Sequence, residues 1–164
     1  MTTDTITDTT GTVQPRVVLA GEGRRGAEIE GLPTVRILLD ASAGAGFSVA
    51  EYRVPPRFSP PPHLHRHTRE GAVLVVQEGQ LHYWFQGADA VLEAGALLHL
   101  PPGAWFRWAN ESDEPARLLM MFAPAGFEEF FVEVADAVHA GADLPVALGS
   151  IRARYGDEDH PSSS

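Results

Sequence analysis

The stretch "PPHLHRHTRE", residues 61–70, contains the residues whose types and spacing could do chemistry. Three histidines stand at alternate positions, His63, His65 and His67, and Glu70 follows them. Alternate residues of a β-strand face the same side, so these imidazoles would project together. Inside a barrel, imidazoles and a carboxylate can bind a divalent metal ion, or they can transfer protons near neutral pH. On an edge strand that faces water they would do neither.

The length and composition of the chain indicate one globular domain. Its 164 residues suffice for a single full core, and 44% hydrophobic residues with 16 glycines and 13 prolines are typical of a compact, turn-rich protein. A formal net charge of -10 disfavours nucleic acid and anionic membrane surfaces as partners. Without cysteine, any metal must be bound by nitrogen and oxygen donors. No leader peptide or membrane-spanning run is recognisable, so we expect a cytoplasmic protein.

Short β-branched or aromatic runs separated by turns predict a protein built mostly of strands. The runs are "RVVLA" (16–20), "PTVRILLD", "GFSVAEYRV", "AVLVVQEG", "QLHYWFQG", "ALLHLPPG", "WFRWANES" and "ARLLMMFAP". After Pro124, apolar residues recur at helical spacing, which predicts helices in "GFEEFFVEVADAVHAG" and "DLPVALGSIRARYG". The predicted organisation is a flexible tail at 1–14, a barrel at 15–124, helices at 125–156 and a second tail at 157–164.

Three segments of the sequence together resemble the two motifs of the cupin family. They are "GFSVAEYRVPPRFSPPPHLHRHTRE", the turn "QEGQL" and "GALLHLPPGAWFRWAN". The resemblance runs from about residue 33 to residue 156, since "PARLLMMFAPAGFEEFF" and "ARYG" are similar to cupins of the quercetin dioxygenase type with a C-terminal helical cap. It implies an all-β fold, a cupin-type jelly-roll barrel with a short C-terminal helical appendage.

The resemblance also implies a metal site, which this sequence matches only in part. Such cupins bind one divalent iron, manganese, nickel, copper or zinc ion through two histidines and a glutamate of the first motif and a histidine of the second. Counted from the proline side, the first motif gives His63, His65 and Glu70 as ligands. Counted back from the glycine at position 79, it gives His65, His67 and Ala72, which lacks the carboxylate. Glu70 and Ala72 have the same parity, so patterning alone does not choose between these registers.

The second motif has its glycine and proline anchors but lacks its ligand. Phe106 stands where the family has a histidine, and a phenylalanine cannot coordinate a metal. The expected cofactor is therefore either none or one divalent transition metal bound by His63, His65 and Glu70.

Aromatic residues near the second motif predict a pocket for a small hydrophobic organic ligand. The candidate binding residues are Tyr83, Phe85, His99, Trp105, Phe106 and Trp108. The leading hypothesis is a cyclase-like or isomerase-like enzyme that acts by acid/base or conformational control. In it His65 and His67 transfer protons and Glu70 orients them.

Two other functions stay open. The first is a metal-dependent dioxygenase of the quercetinase type, and the second is a non-catalytic cupin that binds a small molecule. The family resemblance also implies a homodimer, in which the "RVVLA" segment at 16–20 is a candidate for strand exchange.

Overall fold

The structure is a computed structural model that describes residues 15–26 and 28–161. The predicted tail at 1–14 and the last residues of the second tail, 162–164, lie outside the described residues. In the described part, strands come first and two helices follow. The elements are β1 (Arg24–Arg25), β2 (Thr34–Leu39), β3 (Ser48–Val54), β4 (His65–His67), β5 (Gly71–Glu78), β6 (Gln80–Phe85), β7 (Ala88–Glu93), β8 (Leu97–Leu100), β9 (Phe106–Ala109), β10 (Ala116–Ala123), α1 (Glu128–His139), α2 (Leu144–Tyr155) and β11 (Asp157–Asp159).

The strands form two antiparallel sheets that face each other across one core. One sheet has the order β1-β2-β3-β10-β5-β8, and the other has the order β11-β4-β9-β6-β7. Inward side chains of both sheets, among them Leu74, Leu81, Tyr83, Leu118 and Phe122, belong to the same buried cluster. This jelly-roll architecture with C-terminal helices confirms the predicted fold class.

Alternation of side chains explains why these segments form strands with one buried face. In β6, Leu81 and Tyr83 are buried, whereas His82 and Trp84 are only partly buried on the other face, as the sequence pattern predicts. The turn from β5 into β6 requires glycine, because a Cβ on Gly79 would lie 2.4 Å from the carbonyl oxygen of Pro115.

The helix α1 covers part of the barrel with an aromatic face. Phe127 at its N-cap and Phe131 in its first turns are buried, and the Phe131 ring lies 5.0 Å from that of Tyr52 in β3. The buried carboxylate of Glu128 accepts hydrogen bonds from the backbone N–H of Ala41 at 2.8 Å and of Gly126 at 2.6 Å. These contacts fix the start of α1 on the barrel.

The ends of the chain differ from the sequence-based expectations. In this single chain the "RVVLA" segment at 16–20 pairs with none of the described strands and its Val17 and Leu19 side chains are exposed, so its exchange with a partner subunit stays a prediction. Residues Asp157–Asp159, predicted as the start of a tail, form β11, which pairs with β4. The backbone of β4 supplies hydrogen-bond partners that a tail would lack.

Candidate functional site

The two histidines of β4 share one face of the strand because alternate residues point the same way. Along its length β4 pairs with β11, whereas only His65 is in register with a residue of β9, Phe106. His65 and His67 are half-buried beside the core, and the intervening Arg66 points outward. The prediction that all three histidines project to one side of a strand holds for His65 and His67 but not for His63, which precedes β4.

His65 has an environment that favours its neutral form. Its ring lies 4.3 Å from the ring of Phe106. Burial lowers the pKa of His65 from 6.5 to about 4, and the nearby carboxylate of Asp157 opposes this shift only in part. The imidazole is therefore uncharged near neutral pH and can accept a hydrogen bond or bind a metal.

His67 lies against a buried carboxylate. Its Nδ1 is 3.0 Å from Oε1 of Glu70, and the two side chains are 13% and 6% exposed. Despite this short distance, Oε1 of Glu70 is buried and has no hydrogen-bond partner among the described residues. The His67 ring stacks on Phe127 at 4.3 Å, and Phe106 lies at 5.5 Å on another side. The aromatic rings keep this polar pair away from bulk water.

A small cavity adjoins the pair. Its volume is about 10 Å³, and its walls include His67, Glu70, Ala72 and Phe106. A cavity of this size holds about one water molecule. A larger ligand can therefore reach His67 and Glu70 only if neighbouring side chains or α1 move.

The other residues predicted to bind a ligand have different surroundings. Tyr83 and Phe106 are buried in the core, and Phe85 and Trp108 pack against it. Trp105 instead contacts Arg66 and His160, and His99 is exposed on β8. The structure thus places Phe106 at the cavity, but not Trp105 or His99.

The predicted metal ligands His63, His65 and Glu70 are not brought together. His63 precedes β4, so strand alternation does not extend to it, and its Nε2 pairs with Asp159 at 2.9 Å. The residues beside Phe106 are His65 and His67, and Ala72 lies on the same cavity, as in the register counted back from Gly79. Glu70 reaches the cavity from the loop between β4 and β5.

Asp157 completes a different group that sequence reasoning missed. In the described part of the chain, ligand atoms of His65, His67 and Asp157 lie within 4.8 Å of one another. Two imidazoles and a carboxylate are donors that suit a divalent transition metal. The Asp157 carboxylate also accepts two hydrogen bonds of 2.8 Å from Arg152, so a metal would have to displace part of that contact. Asp157 lies in the segment predicted as a tail, and only its pairing with β4 reveals it.

Comparisons with known proteins agree with this fold. The family profile described as "Cupin domain" matches residues 50–122, and none of the curated proteins compared with the sequence matches it. KdgF from Halomonas sp. is 14% identical, with 71% of this chain and 99% of that chain covered and a TM-score of 0.58. A predicted oxalate decarboxylase from Thermotoga maritima is 20% identical, with 66% of this chain and 99% of that chain covered and a TM-score of 0.58. Ectoine synthase from P. lautus is 14% identical, with 82% of this chain and 80% of that chain covered and a TM-score of 0.55.

At these identities the similarity extends to the fold alone. The comparisons do not confirm the quercetin dioxygenase subtype. Neither helix of the described residues is long and apolar enough to span a bilayer. The matched profile, the two antiparallel sheets and the similar structures lead to one conclusion: the chain has the cupin-type jelly-roll fold, and residues 50–122 are the part that the cupin profile matches.

Proposed function

We propose that this protein is an enzyme that transfers a proton on a small hydrophobic organic substrate, as cyclases and isomerases do. The observation that carries this proposal is the contact of 3.0 Å between His67 and the buried Glu70 at the edge of a cavity. A buried carboxylate stabilises the imidazolium that forms when a histidine takes up a proton, and it fixes the orientation of the ring. His67 is the proposed general base and acid, and Glu70 is its positioning residue.

The walls of the site support a hydrophobic substrate. Phe106 and Phe127 flank His67, and the cavity of about 10 Å³ has room for about one water molecule. Substrate enters in this proposal when the aromatic side chains beside His67 move aside, while Glu128 keeps the start of α1 on the barrel. Exclusion of water after closure strengthens the electrostatic effect of Glu70 on the imidazole. An ectoine synthase among the similar structures is compatible with an enzyme on this fold.

A second candidate function uses a metal at His65, His67 and Asp157. The closeness of their ligand atoms, within 4.8 Å, favours it, and so does the neutral state of His65. A divalent metal bound there would supply Lewis-acid or oxygen chemistry, including that of a dioxygenase. His67 belongs to both candidate sites, so its loss alone does not distinguish them.

The test begins with thermal-shift screening of the purified protein against small hydrophobic organic metabolites. Each compound that raises the melting temperature is then incubated with the protein, and products are identified by mass spectrometry. General acid–base catalysis contributes about 10²–10⁴-fold, so His67→Gln should lower kcat by that factor. The control variant His139→Gln changes an exposed histidine of α1 and should leave kcat unchanged.

The outcomes separate the candidate functions. Turnover that survives EDTA supports proton transfer without a metal. Turnover that EDTA abolishes and one divalent metal restores supports the metal candidate. Compounds that bind but are recovered unchanged support a binding protein, and full activity of His67→Gln contradicts both catalytic proposals. The homodimer and the cytoplasmic location expected from the sequence stay predictions.

A further inference from the structure

A groove on the outer face of the six-stranded sheet is lined by arginines. Its volume is about 260 Å³, and the charged residues on its walls are Arg25, Glu28, Arg36, Glu51 and Arg53. We call it the Glu51 groove. It is separate from the barrel site, because the residues that alternate with Arg36 and Arg53 along β2 and β3 point into the core.

Arginines stand directly opposite one another at two places in this sheet. Arg25 of β1 is in register with Arg36 of β2, and Arg53 of β3 is in register with Arg117 of β10. Like charges in directly opposed positions of neighbouring strands repel each other and destabilise a sheet. Two such pairs around one groove form a local concentration of positive charge in a chain whose net charge is -10.

Carboxylates neutralise this charge only in part. Glu51 faces three guanidinium groups, with contacts of 2.9 Å to Arg36, 3.7 Å to Arg53 and 3.5 Å to Arg117. Glu28 pairs with Arg25, and Glu78 pairs with Arg117. Four guanidinium groups thus meet three carboxylates, which leaves one positive charge in excess.

Hydrogen-bond donors in the groove also lack acceptors. The Nε of Arg36 is buried and has no hydrogen-bond partner among the described residues. The Nε of Arg53 is 3.7 Å from Glu51, which is too far for a hydrogen bond, and this side chain is 64% exposed. An oxyanion at the exposed Arg53 guanidinium would gain both the positive charge and a charge-assisted hydrogen bond, whereas the buried Nε of Arg36 becomes available only if that side chain moves.

We propose that the Glu51 groove binds a small organic anion through carboxylate or phosphate oxygens held by Arg36 and Arg53. The volume of about 260 Å³ is close to the lower end of the range of ligand sites, which corresponds to a small metabolite. Planar guanidinium groups suit both carboxylates and phosphates because each can accept two parallel hydrogen bonds. This binding site is independent of the proposed reaction at His67.

The experiment is an NMR titration of the ¹⁵N-labelled full chain at fixed ionic strength and pH 7. Inorganic phosphate and benzoate are the two probes, added separately, so that the oxyanion source is identified. The test variant is Arg53→Gln, whose side chain is mostly exposed. The control is Arg57→Gln, which removes the same charge from a side chain that is 63% exposed and pairs with Asp113, away from the groove.

At least one probe should produce saturable shifts at the amides of residues 34–36 and 51–53. Arg53→Gln should raise the Kd of that probe about fivefold or more, because it removes a charge-assisted bond, and Arg57→Gln should change it less than about twofold. The proposal is overturned if neither probe gives saturable shifts at these amides. It is also overturned if both variants weaken binding equally, since that result means charge screening and not a site.

Discussion

The neutral state of His65 makes the stability of the fold depend on pH. In the unfolded chain a histidine titrates near 6.5, whereas burial lowers the pKa of His65 in the folded protein to about 4. The groups that face it are His67 and Arg152, which lower the pKa further, and Asp157 and Asp159, which raise it. The stabilisation is fully present above pH 6.5 and is lost as the pH falls from 6.5 to about 4, because only the unfolded chain takes up the proton in that window.

The size of this effect follows from the two pKa values. One pKa unit corresponds to 1.36 kcal/mol, so His65 alone should remove about 2 kcal/mol of stability between pH 7 and pH 5. Other groups also titrate there, so the measured quantity is the difference between the wild type and His65→Gln. That variant should lose about 2 kcal/mol less than the wild type over the same interval.

Urea unfolding at pH 7 and pH 5, with EDTA present throughout, measures this difference. The control His139→Gln removes an exposed histidine and should show the wild-type dependence on pH. NMR titration of the His65 ring protons then gives the pKa directly. Equal losses of stability in the wild type and His65→Gln would refute the reasoning, because they would show that the imidazole is hydrated in the folded state.

Three further substitutions test a buried hydrogen-bond network, a tight turn and the ring that covers His67. Asn110→Ala removes four hydrogen bonds of a side chain that is 1% exposed, so urea unfolding should show a loss of about 2–4 kcal/mol, and a loss below about 1 kcal/mol would contradict this. Gly79→Ala should lower the free energy of unfolding by at least about 2 kcal/mol more than Gly87→Ala does. Both residues have a positive φ, but only a Cβ on Gly79 would meet a backbone oxygen, at 2.4 Å. Equal losses of stability in the two variants would be inconsistent with the turn. Phe127→Ala should lower the free energy of unfolding by about 3–5 kcal/mol. It should also speed the reaction of His67 with diethylpyrocarbonate, because the Phe127 ring stacks on the imidazole. Unchanged reactivity would mean that the ring does not cover the imidazole.

Local patterns predicted the strands and helices, and the resemblance to the two cupin motifs supplied the jelly-roll arrangement. Alternation in β6 separates the buried Leu81 and Tyr83 from His82 and Trp84, and this alternation depends only on neighbouring residues. Apolar spacing in the same way predicts α1, whose buried face includes Phe131 and the other residues that contact the barrel. Such signals are strong because each element buries one face against a single core.

The candidate site was predictable only where the chain is locally regular. His65 and His67 lie on one strand and were expected on the same side, but His63 was included wrongly because the start of β4 is not visible in the pattern. Asp157 could not be assigned because its place depends on the pairing of β11 with β4, and a three-residue acidic strand has no periodicity to detect. The size of the cavity depends on how the side chains of its walls, among them Leu100 and Phe106, pack against one another, which is a property of packing and not of composition.

The pairing of β4 has a consequence for the order of folding. Only one residue of this strand is in register with β9, whereas all three are in register with β11, and Arg66 and Glu158 are 92 residues apart in the chain. Closing so long a loop costs conformational entropy before any contact forms, and topologies with high contact order fold slowly. Strand β4 should therefore be among the last segments to acquire its native geometry, after the hairpin of β6 and β7 has formed.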